Sequence, residues 1–340
     1  MGTPTEQCRS CTWGLILFLL LCIFPATPVH SLKRSVIKFT RMFRNVRMKP
    51  KALVAYKGHY YVTDMRGNRI LVFDHGGKLQ RTIGTVGSGP GELLRPTKLA
   101  IVNDLIYVYE IGNERIQIMT LEGKPVRHFS IGDFEGYAVD SKGRIFLGQP
   151  EKGRLISVYS PEGKFVNSFG ELRKTSDFYG QSYAHRDRAD RVFINRVSIF
   201  VDELDNIYVT FQFAPVLQKY DPRGRLIWEA RLEGAEIDEL VNLFLSDEKH
   251  RKYIRIATKD FAANLVLVNT VVTSHGDILT LLPNKVLYVL DKQGRFVTSF
   301  DLLPADPENE DFWPVELALG DKEEIVAIVF GDLYGARFKL

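Results

Sequence analysis

At 340 residues, with 45% hydrophobic and 25% charged side chains, the chain has ordinary globular composition and length for a large core, which excludes a disordered or collagen-like polymer. The formal charge of +4 is uneven: Lys33, Arg34, Lys38, Arg41, Arg44, Arg47, Lys49 and Lys51 crowd one stretch without an acid, so the remainder is mildly acidic and a nucleic-acid-binding body is excluded. All three cysteines, Cys8, Cys11 and Cys22, fall near the start, so the rest of the chain has neither a disulfide nor a thiolate metal site.

From Trp13 to Phe24 runs an apolar stretch of about a dozen residues, shorter than the roughly 20 that a membrane-spanning helix needs. Arg9 precedes it, and Val29 and Ser31 offer small residues before a cut. The expectation is a signal peptide over 1–31 and an exported protein, periplasmic or extracellular. An uncleaved N-terminal anchor is the alternative, favoured by the basic residues that follow. Residues 32–51 then read as a basic arm, either solvated or in contact with an anionic membrane surface, and 52–340 as the folded body.

From Ala52 onward the chain repeats with a period of roughly 40 residues, the length of one four-stranded propeller blade. In the first copy Leu53 to Tyr56, Tyr60 to Asp64, Arg69 to Asp74 and Leu79 to Ile83 are short β-prone runs between turns. The landmark is the turn before the fourth run, an Asp or hydroxyl residue, then Gly three positions on, then a base. It occurs at Asp74, Gly77 and Lys78, at Thr120, Gly123 and Lys124, and at Ser160, Gly163 and Lys164. It recurs at Asp221, Gly224 and Arg225 and at Asp291, Gly294 and Arg295. The side-chain oxygen accepts backbone N–H bonds, and Gly supplies the positive φ of the reversal. A sixth copy begins near Pro314 and has no residues left for its outer strand. The β-prone run Val36 to Phe39 is the natural donor. The expectation is an all-β fold, a six-bladed β-propeller with an N-terminal strand closing the last blade and a helical insertion between blades four and five.

The stretch Gly84 to Glu92, leading to Pro96 and the strand Leu99-Ala100-Ile101, has the form of a glycine-rich linker between blades. Asn68-Arg69-Ile70 and Asn113-Glu114-Arg115-Ile116 open third strands in the same way. These stretches resemble the NHL-repeat family of propellers, in spacing over roughly Ala52 to Leu340 and in motif over the first two blades. The glycine-rich stretch has no following Lys-Ser or Lys-Thr and no helix pattern, so it reads as a linker and not as a phosphate loop.

Two insertions should sit on the propeller face formed by the loops between strands two and three and between blades. Ala235 to Asn264 carries Ile237, Leu240, Val241, Phe244 and Leu245 at helical spacing, then the charged run Asp247 to Lys252, and reads as an amphipathic helix packed as a lid. Glu171 to Val192 lacks an apolar period and reads as a polar, aromatic loop with Tyr179, Tyr183, His185, Arg186 and Arg191 as candidate ligand contacts. Asp64, Arg66 and Glu110 are further candidates at the channel mouth. Asn68, Arg69, Asn113 and Arg115 recur at equivalent positions and read as caps serving the repeat.

No nucleophile elbow, P-loop or dinucleotide fingerprint occurs, and the histidines form no close pair. No catalytic residue, metal ligand or cofactor is therefore expected. The functional expectation is a binding or scaffold module for a protein, peptide or glycan on the inserted face. The alternative is a metal-dependent hydrolase or lyase resembling gluconolactonase, a kind of propeller enzyme that holds a channel metal with carboxylates and amides, for which Glu110, Asp64 or Asn195 would be the oxygen ligands here.

Overall fold

The computed structural model describes residues 34–42, 46–188, 190–246, 265–307, 312–320, 324–329 and 332–337. The cysteines, the segment read as a signal peptide and the run Asp247 to Lys252 lie outside the described residues.

Four separate four-stranded antiparallel sheets form blades one to four. Blade one comprises Pro50–Tyr56, His59–Asp64, Arg69–Asp74 and Leu79–Ile83. Blades five and six share one eight-stranded sheet, joined by the strand Ser35–Arg41, here β1. β1 runs parallel to the outer strand of blade five, Phe296–Pro304, with Ser35 opposite Phe300 and Phe39 opposite Pro304. It also pairs antiparallel with the third strand of blade six, Asp332–Arg337, with Thr40 opposite Gly335. The N-terminal strand thus closes the last blade and, beyond what its sequence suggests, stitches it to its neighbour.

The middle strands of each blade are buried on both faces because neighbouring blades sandwich them, so they read as continuous apolar runs. Ile70-Leu71-Val72-Phe73 and Ile207-Tyr208-Val209 are almost completely buried. Outer strands instead expose most of their residues.

The repeated turns form as their chemistry dictates. Gly77, Gly123, Gly163, Gly224 and Gly294 all adopt φ between 79° and 86°. At Asp221 the carboxylate accepts the Arg223 and Arg225 N–H groups, and the Arg225 guanidinium lies 2.6 Å away. These bonds, the Arg225 N–H first, hold the Asp221 carboxyl below its usual pKa. The glycine-rich linker wraps Arg115, whose guanidinium donates to the carbonyls of Ser88, Gly89 and Glu92 and pairs with Glu110 at 2.8 Å.

Candidate functional site

Asp64 and Glu110 occupy equivalent positions at the ends of second strands, and both are buried. Asp64 accepts from the Lys49 and Gly67 N–H groups and from Arg69. Glu110 accepts from the Leu94 N–H, Asn113, Arg115 and Gln117. Each carboxylate ties its own blade to the linker beside it. Arg66, in the loop after Asp64, is exposed.

The first insertion is not the open loop that its lack of period suggests. It folds into α1, Thr175–Tyr179, a 3₁₀ turn over Gln181–Arg186, and α2, Arg191–Ile194. Acidic side chains nucleate these turns: Asp177 accepts the Lys174 N–H, and Asp187 accepts the Ser176 N–H and hydroxyl. Asn195 clamps the base of the insertion, accepting from the Arg173 N–H and donating to the Arg173 and Arg191 carbonyls.

The second insertion begins as α3, Ala235–Ser246, burying Ile237, Leu240 and Phe244. Part of what covers it is the first insertion. Arg186 is buried between the Asp190 carboxylate, 2.7 Å from its Nε, and the Phe244 ring, 4.8 Å from its guanidinium carbon. Its Nη1 also donates to the Leu245 carbonyl at 3.4 Å. The Tyr179 ring lies 5.7 Å from Phe244, its hydroxyl donates to the Phe213 carbonyl, and burial raises its pKa. Arg186 and Tyr179 therefore lock the two insertions together. Tyr183 is half-buried, with its ring stacked 6.4 Å from exposed His185, and Arg191 is exposed on α2. The structure brings Tyr179, Tyr183, His185 and Arg186 into one body; it leaves Asp64 and Glu110 committed within blades one and two.

Asp64, Glu110 and Asn195 do not form a cation site. They belong to three blades, and each points its oxygens at nearby N–H groups of its own loops. Among the described residues no three His, Cys, Asp or Glu side chains converge.

The first strands of the blades enclose a channel of about 1920 Å³. At its linker-side end stand Lys49, Lys51, Met65, Arg95, Lys98 and Glu316. At the other end are Asp202, Glu203, His275 and Asp277, from the first turns of blades four and five. Glu135, also on the lining, is paired with Arg196. Glu316 is half-buried and accepts the Leu53 N–H; burial pushes its carboxyl up to about 7, opposed by the charges of Lys98 and Lys51. Lys98 and Glu316 escaped the sequence reading. Their signal was a charged residue two places after a proline that opens an otherwise apolar strand, Pro96-Thr97-Lys98 and Pro314-Val315-Glu316.

The family model DUF5128, described as a 6-bladed beta-propeller, matches residues 45–141. No curated protein matches the chain in sequence. Among solved structures, a streptogramin B lyase is 11% identical, with TM-score 0.56 over 89% of this chain and 98% of its own. Virginiamycin B lyase from Staphylococcus aureus, solved as an inactive variant with quinupristin, is 12% identical, with TM-score 0.55 over 88% and 98%. An inferred exported protein from Bacteroides fragilis is 10% identical, with TM-score 0.57 over 89% and 95%. At such identities the likeness is one of fold, and that fold is the six-bladed β-propeller.

Proposed function

We propose that this chain is an exported, NHL-like binding module whose inserted face captures a protein, peptide or glycan. The observation that carries the reading is the joining of the two insertions through Arg186 and Phe244. It builds a fixed platform that leaves the Tyr183 and His185 rings, Arg188 and Arg191 at least partly open to solvent. Aromatic faces beside guanidinium groups suit sugar rings and carboxylates, and a preformed platform lowers the ordering cost of binding. A catalytic reading by analogy with the lyases has no comparable support, because the carboxylates of blades one and two are committed to their own loops. The apolar run Trp13 to Phe24 supports export; among the described residues no helix is long and apolar enough to cross a membrane.

Glycan and peptide arrays probed with the wild-type chain and with the triple variant Tyr183→Ala, His185→Ala, Arg191→Ala test the reading. The expected result is a set of ligands lost in the variant while its melting temperature stays within about 2 °C of wild type. The same ligands bound equally by both proteins would sink it. Cell fractionation tests export, and a protein confined to the cytoplasm would refute it.

A further inference from the structure

We propose that the linker-side mouth of the channel, where blades six, one and two meet, binds a small, multiply charged oxyanion. This site is independent of the inserted face, so either proposal can fail while the other stands.

The first argument is an asymmetry in the ring. In blades one, two and six the first strand opens with a proline, Pro50, Pro96 or Pro314, and its pairing slips by a β-bulge directly afterwards. The first strands of blades three, four and five are regular over Tyr137–Val139, Val197–Val201 and Thr270–Val272, although just ahead of two of them Glu135 and Gly136 share Gly148, and Val268 and Asn269 share Leu281, in the same kind of bulge. A bulge bends its strand and re-aims the side chains on it, and bulges gather beside functional sites. Here the bulged strands carry the charges, Lys51, Lys98 and Glu316. The regular ones, Tyr137–Val139, Val197–Val201 and Thr270–Val272, carry none. A repeat built only for stability has no need to gather its first-strand charges in three adjacent blades.

Charge balance is the second argument. Lys49, Lys51, Arg95 and Lys98 line this end of the channel, against the carboxylates of Glu316 and of Glu135, the latter paired with Arg196. Lys98 is half-buried, and among the described residues it forms no hydrogen bond or ion pair within 4 Å, although its charge acts on Glu316. A partly desolvated ammonium without a direct partner is unfavourable, and an oxyanion would supply that partner by a charge-assisted bond. The far end is lined by Asp202, Glu203 and Asp277 together with Lys219 and Lys292, so it is less basic than the linker-side mouth and the difference favours an anion near Lys98. Glu316 faces Lys98 from blade two and Lys51 and the Leu53 N–H from blade one, with the Asn269 amide of blade five bonded to the neighbouring Leu317 carbonyl. With its carboxyl raised to about 7, it repels an anion less than an ordinary glutamate would.

Calorimetric titration of the full chain with inorganic phosphate and with citrate, at pH 6.5 and constant ionic strength, tests the site. Saturable binding of at least one anion is expected, at least fivefold weaker in Lys98→Gln and in Arg95→Gln. It should be unchanged in Lys78→Gln, which removes the same charge from an exposed turn at the opposite end of its blade. The preferred probe distinguishes a phosphate-bearing ligand from a polycarboxylate. Arg95 is exposed, so its variant keeps the test open if Lys98→Gln does not fold. Absence of saturable heat with both anions, or equal affinity in wild type, Lys98→Gln and Arg95→Gln, overturns the proposal.

Discussion

At Gly163 and Gly224 two demands meet. Each turn needs positive φ, and a Cβ added at either glycine would stand 2.3 Å from the Phe129 ring or 2.7 Å from the Phe169 ring of the preceding blade. The glycine that makes the turn is therefore also the socket for the neighbouring outer strand, and one residue couples local geometry to blade packing. Glu316 couples structure to pH instead. Its carboxyl rises from 4.5 to about 7, so the folded chain keeps a proton that the unfolded chain releases between those values, and stability falls as pH rises through that window. Glu316→Gln should be more stable than wild type at pH 8 by about 1–2 kcal/mol, a figure reduced for water in the channel, and no different at pH 4. Denaturant titrations at the two pH values check this; equal stabilities at pH 8 would contradict the raised pKa.

Among the elements, β1 has the most consequence for its length. Phe39 is completely buried 5.6 Å from Phe312, and Ile37 and Leu302 share its cluster. Phe39→Ala should cost about 3–5 kcal/mol in urea denaturation, the range for emptying a buried phenylalanine site, and a loss below about 1 kcal/mol would show that β1 does not hold the ring closed. The run Val36 to Phe39 announced a strand, since three of its four residues are β-prone, but its parallel partner in blade five was invisible because nothing in one strand encodes register with another. Helix α3 was legible for the same local reason. Its partner was not: Arg186 and Tyr179 look like ligand contacts in a polar loop until Phe244 is placed beneath them.

Across the whole molecule, the repeat made the blades readable, since turns with an Asp or hydroxyl residue, a Gly three positions on and then a base, together with two-sided burial, write themselves into short sequence windows. The sites were read less well. Asp64 and Glu110 stood out as charged loop residues, yet Gly67 and Leu94 N–H groups claim them. Lys98 and Glu316 meet only because three blades converge on an axis, a relation between residues more than 200 positions apart. The shared sheet also predicts how the ring opens. In hydrogen exchange, removing residues 34–41 should deprotect Phe296–Pro304 and Asp332–Arg337 together and leave blades two and three unchanged. Deprotection of blade six alone would deny that β1 couples the two blades.

β1 is synthesised before every blade, yet its ion pair from Arg41 to Asp332 spans 291 residues. Until both partner strands have left the ribosome, β1 has an unpaired edge, as do the blades that it will join. Closure of the ring is thus among the last events of folding. The nascent chain must be kept from lending that edge to another molecule for as long as the intervening blades take to be made.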